Sequence, residues 1–413
     1  KKFTVPSLRG NKLYPARQAA NVESVTVTGP LNGVRVLDLT SVVLGPLATQ
    51  MLGDMGADII KIESPAGDTT RYTGPNRSND MSALYMGLNR NKRSITLNLK
   101  DPNDLARFKA LVEVADVVIE NYKPGTAKRL GIDYESLAAI NERLVYCSIS
   151  GFGQTGPYSH RGGFDLIACG MTGLMSINGP PEGDPYRIPI PVTDLAGGMN
   201  GATGILLALA ARERTGRGQH VDTSLFESGL ALGVYEAANV FTNGEVPQRL
   251  GQRHRGSAPY QIFPTQDGYM TIGGANQPFW EQACAILGCE HLVSDKRFIT
   301  KADRVANAAV LADELIPYFQ AQSTDYWCER FEAAGIPAGP VMNHVQALND
   351  PQAQARNMVV EVEHSKLGKT KTLGVQVKLS ETPGSIRRGA PLVGEHNDEV
   401  FTDWLDTASD AAE

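Results

Sequence analysis

The chain has 413 residues, 42% of them hydrophobic and 20% charged, which is enough to bury more than one core and suggests two or three domains. A net charge of −6 gives no sign of a nucleic-acid partner, and no stretch approaches the roughly 18 consecutive apolar residues of a membrane span. The five cysteines (Cys147, Cys169, Cys284, Cys289 and Cys328) are odd in number and show no zinc-site spacing, so they read as reduced thiols in a reducing compartment.

Residues 1–30 read as an N-terminal arm. It carries Lys1, Lys2, Arg9, Lys12 and Arg17, has no acid before Glu23 and lacks a secretory apolar core. The expected location is the cytoplasm, or the mitochondrial matrix if the arm is a transit-peptide remnant.

Regular structure then begins. Residues 34–39 read as a buried strand, 47–56 as a helix ending in glycine and 58–63 as a second strand, together a βαβ unit with a parallel pair. Ligands in such sheets collect beyond the carboxyl ends of the strands, here Thr40–Leu44 and Glu63–Arg71. Further strands are expected at 94–99, 116–121, 144–149 and 220–223. A helix entered through Asp101-Pro102 is expected to Ala115. The result is a doubly wound α/β domain with the strand order open. No GxGxxG follows the first strand, which disfavours a nicotinamide or flavin cofactor. A small-residue helix is expected from Asp194 to Ala211, another over 225–242, and a mostly helical region to about 330 with a hairpin-like insertion at 260–274. Residues 335–341 return to sheet-forming sequence, and a loop at 389–396 precedes a final helix.

Between the last strand of the first region and the small-residue helix lies GFGQTGPYSHRGGFDLIACGMTG (Gly151–Gly173). Its glycines permit positive φ and close backbone approach. Asp165 sits there at the head of an apolar helix face. Two readings stay open from the residues alone. Asp165 is a helix N-cap or N1 residue, or it is a nucleophile beside a glycine turn whose N–H groups hold an oxyanion.

Several motifs in order look like the class III CoA-transferase family. They are LDLTSVVLGPLATQMLGDMGADIIKIE, NRNKRSITLNLK, ENYKPGTAKRLGIDYESL, GFGQTGP…GGFDLIA, ERTGRGQHVDTSLFE, GIPAGPV and APLVGEHNDEV, spanning about residues 31–400. The resemblance implies an α/β fold. In it a Rossmann-like large domain is built from 31–220 and the return of 336–413, a smaller α+β domain from 221–335, and two copies interlock as a homodimer. It implies that Asp165 is the catalytic aspartate and that coenzyme A thioesters and carboxylic acids are the substrates, with no permanently bound cofactor, metal or membrane partner. It places CoA contacts at Val42, Val43, Leu44, Leu97, Asn98, Leu99, Lys100, Asn121, Tyr122 and Arg129, and a tyrosine near the thioester at Tyr85.

Lys92, Arg93, Lys100 and Arg129 are candidate counter-charges for the CoA phosphates, although each alone reads as a solvated surface charge. Gln154 and Tyr85 are candidate hydrogen-bonding partners of Asp165 or the acyl carbonyl. The glycine-rich loop of formyl-CoA transferase matches Gly256-Ser257-Ala258-Pro259-Tyr260, with one glycine. Next to it the basic cluster Gln252, Arg253, His254, Arg255 reads as a surface turn or as the site of a distal carboxylate. Relatives that use succinyl-CoA with dicarboxylates resemble this chain more closely. The implied reaction runs through an aspartyl anhydride and an aspartyl-CoA thioester. Three alternatives remain: a racemase or isomerase, a formyl-CoA:oxalate-type transferase, and a non-catalytic CoA-binding subunit. Racemases carry a histidine where this chain has Phe164. Their second aspartate matches Asp194, which reads here as a helix N-cap.

Overall fold

The structure is a computed structural model that describes residues 29–74, 77–78, 81–273 and 276–406. All but the last two residues of the arm expected at 1–30 lie outside them. Six parallel strands form the main sheet: β1 (Arg35–Asp38), β2 (Asp58–Glu63), β3 (Lys92–Thr96), β4 (Val117–Glu120), β5 (Val145–Ser150) and β6 (His220–Ser224). Their spatial order is β3-β2-β1-β4-β5-β6. The chain therefore winds outward from β1, crosses back over it, and winds outward on the other side. That reversal leaves a crevice above the carboxyl ends of β1 and β4.

Each face of the sheet is covered by helices. On one side Leu44–Asp54 and Val192–Thr215 enclose Val36, Ile59, Val117, Cys147 and Ile149. These two helices approach closely because the longer one presents glycine. A Cβ on Gly198 would stand 2.5 Å from the Leu44 carbonyl oxygen. On the other side Phe108, Leu111 and Val112 of the helix Pro102–Glu113 pack with Leu137, Val400 and Trp404. The C-terminal segment also protects the exposed edge of β3: the His396 N–H donates to the Ser94 carbonyl (2.9 Å) and Asn397 Oδ1 accepts from the Thr96 N–H (2.8 Å).

A second hydrophobic cluster forms over the antiparallel strands β7 (Gln261–Pro264), β8 (Tyr269–Ile272) and β9 (Ala338–Pro340), with Trp280, Phe298, Phe319, Trp327 and Phe331 from the surrounding helices. The helix expected over 225–242 is two, Leu225–Leu232 and Val234–Asn243, meeting at Gly233. The first of them packs on the helices Asp165–Met171 and Val192–Thr215, not on the second cluster. A hairpin, β10 (Val359–His364) and β11 (Gly368–Leu373), follows. Among the described residues no helix is long and apolar enough to cross a membrane.

The third strand lies two residues earlier than expected, and this corrects the reading of two candidate phosphate ligands. Lys92 and Arg93 are inside β3, not in a loop before it. The Lys92 ammonium is fully buried and donates to Asp38 Oδ2 (3.0 Å), Pro46 O (3.0 Å) and Asn89 Oδ1 (2.8 Å), so its three donors are occupied. Arg93 is shared among Asp58 (2.6 Å), Glu399 (2.8 Å) and Asp403 (2.7 Å). Neither is available to a phosphate. Asp38, at the end of β1, also accepts from Thr49 Oγ1 (2.7 Å) and the Thr40 N–H (2.9 Å). Burial alone would raise its pKa, but the Lys92 and Lys61 ammonium groups hold it below the usual carboxylate value.

Removing one member of a buried charge pair strands the other in a low-dielectric interior. Asp38→Ala is expected to cost about 3–5 kcal/mol in denaturant unfolding, because Lys92 is left unpaired. Lys369→Ala, which breaks an exposed pair with Glu361, is expected to change the unfolding midpoint little.

Candidate active site

The crevice at the strand reversal holds most of the residues that the motifs single out. Between β1 and the helix Leu44–Asp54 the chain passes through Val42 at φ 73°, a left-handed conformation that a β-branched residue adopts only under constraint. The constraint is Asn121, just after β4. Its Oδ1 accepts from the Ser41 N–H (3.0 Å) and its Nδ2 donates to the Ser41 carbonyl (2.8 Å). Asn121 thus pins the loop with its amide group. Val42, Leu44, Asn121 and Tyr122 line a cavity of about 300 Å3 that extends to Arg161, Phe164 and Asp194. Val43 is buried beside the loop and does not line it.

Tyr122 is a shared wall. On its other side lies a cavity of about 150 Å3 lined by Leu97, Asn98, Leu99, Lys100 and Leu130. Lys100 is exposed at its rim, and the neighbouring Arg129 is exposed with one nitrogen donating to Thr126 Oγ1 (2.9 Å). The two cavities trace one groove over β2, β1 and β4. Beneath it Glu120 accepts from the Tyr122 N–H (2.7 Å), and burial pushes its carboxyl up to about 7.

At the inner end of the groove the GFGQTG turn closes back on itself. Gly151 and Gly163 touch backbone to backbone, and a Cβ on Gly163 would stand 2.5 Å from the Gly151 Cα. This contact carries the chain from β5 to the head of the helix Asp165–Met171. The turn itself is not an oxyanion site at the two amides that the structure commits elsewhere. The Gly153 N–H donates to Ser150 Oγ (2.9 Å) and the Gln154 N–H to Asp222 (3.1 Å).

Asp165 is the first residue of its helix and does not cap it. Its carboxylate turns instead to the N-terminus of the 24-residue helix Val192–Thr215. There Oδ1 accepts from the Thr193 N–H (2.9 Å) and Thr193 Oγ1 (2.8 Å), with Cys169 Sγ at 3.7 Å. The positive end of that helix dipole favours a carboxylate at this point. Oδ2 has no hydrogen bond among the described residues. One oxygen is held and the other is not.

Three further candidates stand elsewhere. Tyr85 is fully buried under the Arg71 guanidinium, which donates to its hydroxyl, and has no bond to Asp165. Burial pushes that hydroxyl well above its usual pKa. Gln154 makes no side-chain bond to Asp165, and its Nε2 is buried without a partner among the described residues. Gly256 and Ser257 are half-buried, and the Gly256 N–H is already given to His254 Nδ1 (3.1 Å). The basic cluster divides. Arg255 is paired with Glu236 (3.0 Å), whereas Arg253 lines a separate cavity of about 570 Å3 with Gln252, His254, Tyr260 and Thr271. Sequence reasoning missed Thr193 and Asp222. Each acts across a distance in the chain, and only the PVTD and HVDT strings hinted at them.

A model of CoA-transferase family III matches residues 31–397. The chain belongs to this family. It is similar to the succinyl-CoA:glutarate CoA-transferase of Mus musculus, 39% identical over 397 residues that cover 96% of this chain and 90% of the relative. It is also similar to the acetyl-CoA:oxalate CoA-transferase of Acetobacter aceti, 42% identical over 370 residues that cover 89% and 94%. Among solved structures, a CAIB/BAIF family protein from Brucella suis superposes with a TM-score of 0.83 at 36% identity, covering 91% of this chain and 100% of that one.

The Gly151–Gly163 contact gives a direct test. Gly163→Ala forces the two backbones apart and shifts Asp165, so CoA transfer is expected to fall by about 100-fold or more, as misplacement of a reacting group by an ångström does. Gly162→Ala, whose Cβ meets nothing within 4 Å, is expected to leave the rate near wild type. Steady-state kinetics on the two variants checks this.

Proposed function

We propose that this protein moves coenzyme A from an acyl-CoA, with succinyl-CoA as the donor, to a dicarboxylic acid through covalent chemistry on Asp165. The observation that carries the reading is the asymmetric carboxylate, with Oδ1 held by Thr193 and Oδ2 unbonded among the described residues, next in the chain to Phe164, which lines the groove. The relatives named for succinyl-CoA, glutarate and oxalate support the choice of substrates.

In the first step Asp165 Oδ2 attacks the thioester carbonyl. The C–S bond breaks, leaving an acyl-aspartyl anhydride and CoA. The CoA sulfur then attacks the Asp165 carbonyl carbon and expels the donor acid, which leaves an aspartyl-CoA thioester. The acceptor carboxylate repeats the sequence in reverse, forming a second anhydride from which CoA departs on the new acyl group. Each step exchanges one activated carbonyl for another, so the thioester free energy is conserved. Water must stay out while the anhydride exists.

The CoA nucleotide would lie by Leu97–Lys100 and Tyr122, with Lys100 and Arg129 as the basic groups nearest to it. The pantetheine would follow Val42 and Leu44 to Asp165. Arg253, whose Nε donates to the Leu250 carbonyl (3.4 Å), has terminal nitrogens without a partner among the described residues, which leaves it free for a distal carboxylate that reaches its separate cavity. Phe164, Leu166 and Ile167, next to Asp165 in the chain, are apolar and exposed, as are Leu207, Val234 and Phe241 on neighbouring helices, which supports a homodimer that covers them. The free cysteines fit a cytoplasmic or matrix setting.

Exchange between succinyl-CoA and a panel of acids, read by mass spectrometry of the acyl-CoA products, tests the reading. Asp165→Asn is expected to abolish exchange. Arg253→Met is expected to raise KM for dicarboxylates by about tenfold or more, the loss of one charge-assisted hydrogen bond, and to leave monocarboxylates unaffected. Full exchange in Asp165→Asn would contradict the mechanism.

A further inference from the structure

Asp194 is the residue immediately after the one that holds Asp165, and its position is unusual for a carboxyl. It is the third residue of the helix Val192–Thr215, whose N-cap is Pro191, and it does not cap that helix as its sequence context suggested. It is 8% exposed, makes no hydrogen bond among the described residues, and lines the cavity shared by Val42, Asn121 and Phe164. A buried carboxyl is normally hydrogen-bonded or ion-paired. This one is neither, and it faces the space that the reading above assigns to the thioester.

We propose that Asp194 works as the neutral acid of the site, giving its proton to the CoA sulfur as Asp165 displaces it and taking it back when the thiol returns. The inference rests on the transferase reading. Thr193 sets the geometry: its N–H and hydroxyl fix Asp165 Oδ1, and the next residue, Asp194, lines the cavity that Phe164, the neighbour of Asp165, also lines. Burial and then the Asp165 charge push the Asp194 carboxyl up to about 7. The other groups around it are Cys169 on the helix of Asp165 and, along the cavity, Arg161, Tyr122 and Lys123. None of these hydrogen-bonds or ion-pairs with it among the described residues.

The proton and charge balance close at each step. In acylation, Asp165 carboxylate and neutral Asp194 meet the acyl-CoA. The new C–O bond forms, the C–S bond breaks, and the Asp194 proton moves to sulfur. The products are the neutral anhydride, CoA thiol and Asp194 carboxylate, so one negative charge has passed from Asp165 to Asp194. In the return step the thiol proton goes back to Asp194 as sulfur attacks the Asp165 carbonyl and the donor acid leaves as its carboxylate. The coupling times the transfer. While Asp165 is anionic its field keeps the proton on Asp194, and its acylation removes that field when the sulfur needs the proton. Without such a donor the group that leaves is a free thiolate, which reattacks the anhydride at either carbonyl.

The sign for pH follows. The group whose raised pKa lies near 7 must be protonated to act, so the rate is highest below that value and falls as pH rises through it. The experiment is kcat for succinyl-CoA and glutarate from pH 5.5 to 9 in the full chain and in Asp194→Asn, which keeps the shape but carries no transferable proton. The expected result is a kcat about 100-fold lower at pH 6, the usual contribution of a general acid, and a profile without the fall near pH 7. A purely structural Asp194 would lower kcat and keep the wild-type profile. An unchanged rate or an unchanged profile overturns the proposal.

A second measurement does not depend on the variant's folding: wild-type acylation by succinyl-CoA without acceptor, in H2O and D2O. A slower reaction in D2O supports proton transfer to sulfur, and equal rates overturn it. If wild type exchanges no acid at all, the transferase reading fails and this proposal falls with it. If wild type exchanges while Asp194→Asn matches it, only the role of Asp194 is lost.

Discussion

The buried carboxylate of Asp38 holds together the point where the sheet reverses direction. It ends β1 between β2 and β4, and it draws in Lys92 from β3, Thr49 from the first helix and the amide of Thr40. Lys61, at the same depth on β2, donates to the Thr40 carbonyl (2.8 Å) and to Asp68 (3.0 Å). Charges taken out of water are tolerated only with such complete pairing. The network fixes where the chain leaves β1. Four residues after Asp38 the backbone takes the left-handed turn at Val42 that shapes the groove, and Asn121 locks that turn from the other side of the crevice.

The surroundings of Asp165 are built on a different principle. Two glycine backbones in contact bring Asp165 to the N-terminus of a long helix, and that helix supplies one amide and one hydroxyl to a single carboxylate oxygen. A nucleophile needs a fixed position and an unencumbered lone pair, and under the proposed reading the division of the two oxygens would provide both. Asp194 on the following residue places a second carboxyl within the field of the first. Two carboxyls so close cannot both be charged cheaply, which is how such pairs acquire separate acid and base roles.

Much of this could be read from the residues. The parallel strands near 35, 58, 117 and 145 follow from apolar runs bounded by glycine and polar turns, and the motif series pointed to Asp165 and the Val42–Leu44 and Leu97–Lys100 loops. The strand order could not be read, because nothing local distinguishes which neighbour β4 will choose. Lys92 and Arg93 read as candidate counter-charges because their partners, Asp38, Asp58 and Glu399, are distant in sequence, and a charged pair in a strand looks like the end of one. Arg253 and Arg255 are chemically alike in the string and separate only when Glu236 takes one of them. The glycine-turn amides looked free for an oxyanion until Ser150 and Asp222 were seen to use two of them. Apart from Ser150, three residues from Gly153, the missing information was a long-range partner.

The central claim, that the carboxylate oxygen of Asp165 enters the reaction, is tested most directly by isotope transfer. Acceptor glutarate labelled with 18O in its carboxylates is incubated with succinyl-CoA and the protein, and the peptide Gly162–Arg187 is then sequenced by mass spectrometry. Passage through the second anhydride leaves one acceptor oxygen on the Asp165 carboxyl in each turnover, so 18O is expected at that residue. Glutaryl-CoA formed with no label on Asp165 would show that the acyl group never bonded to it.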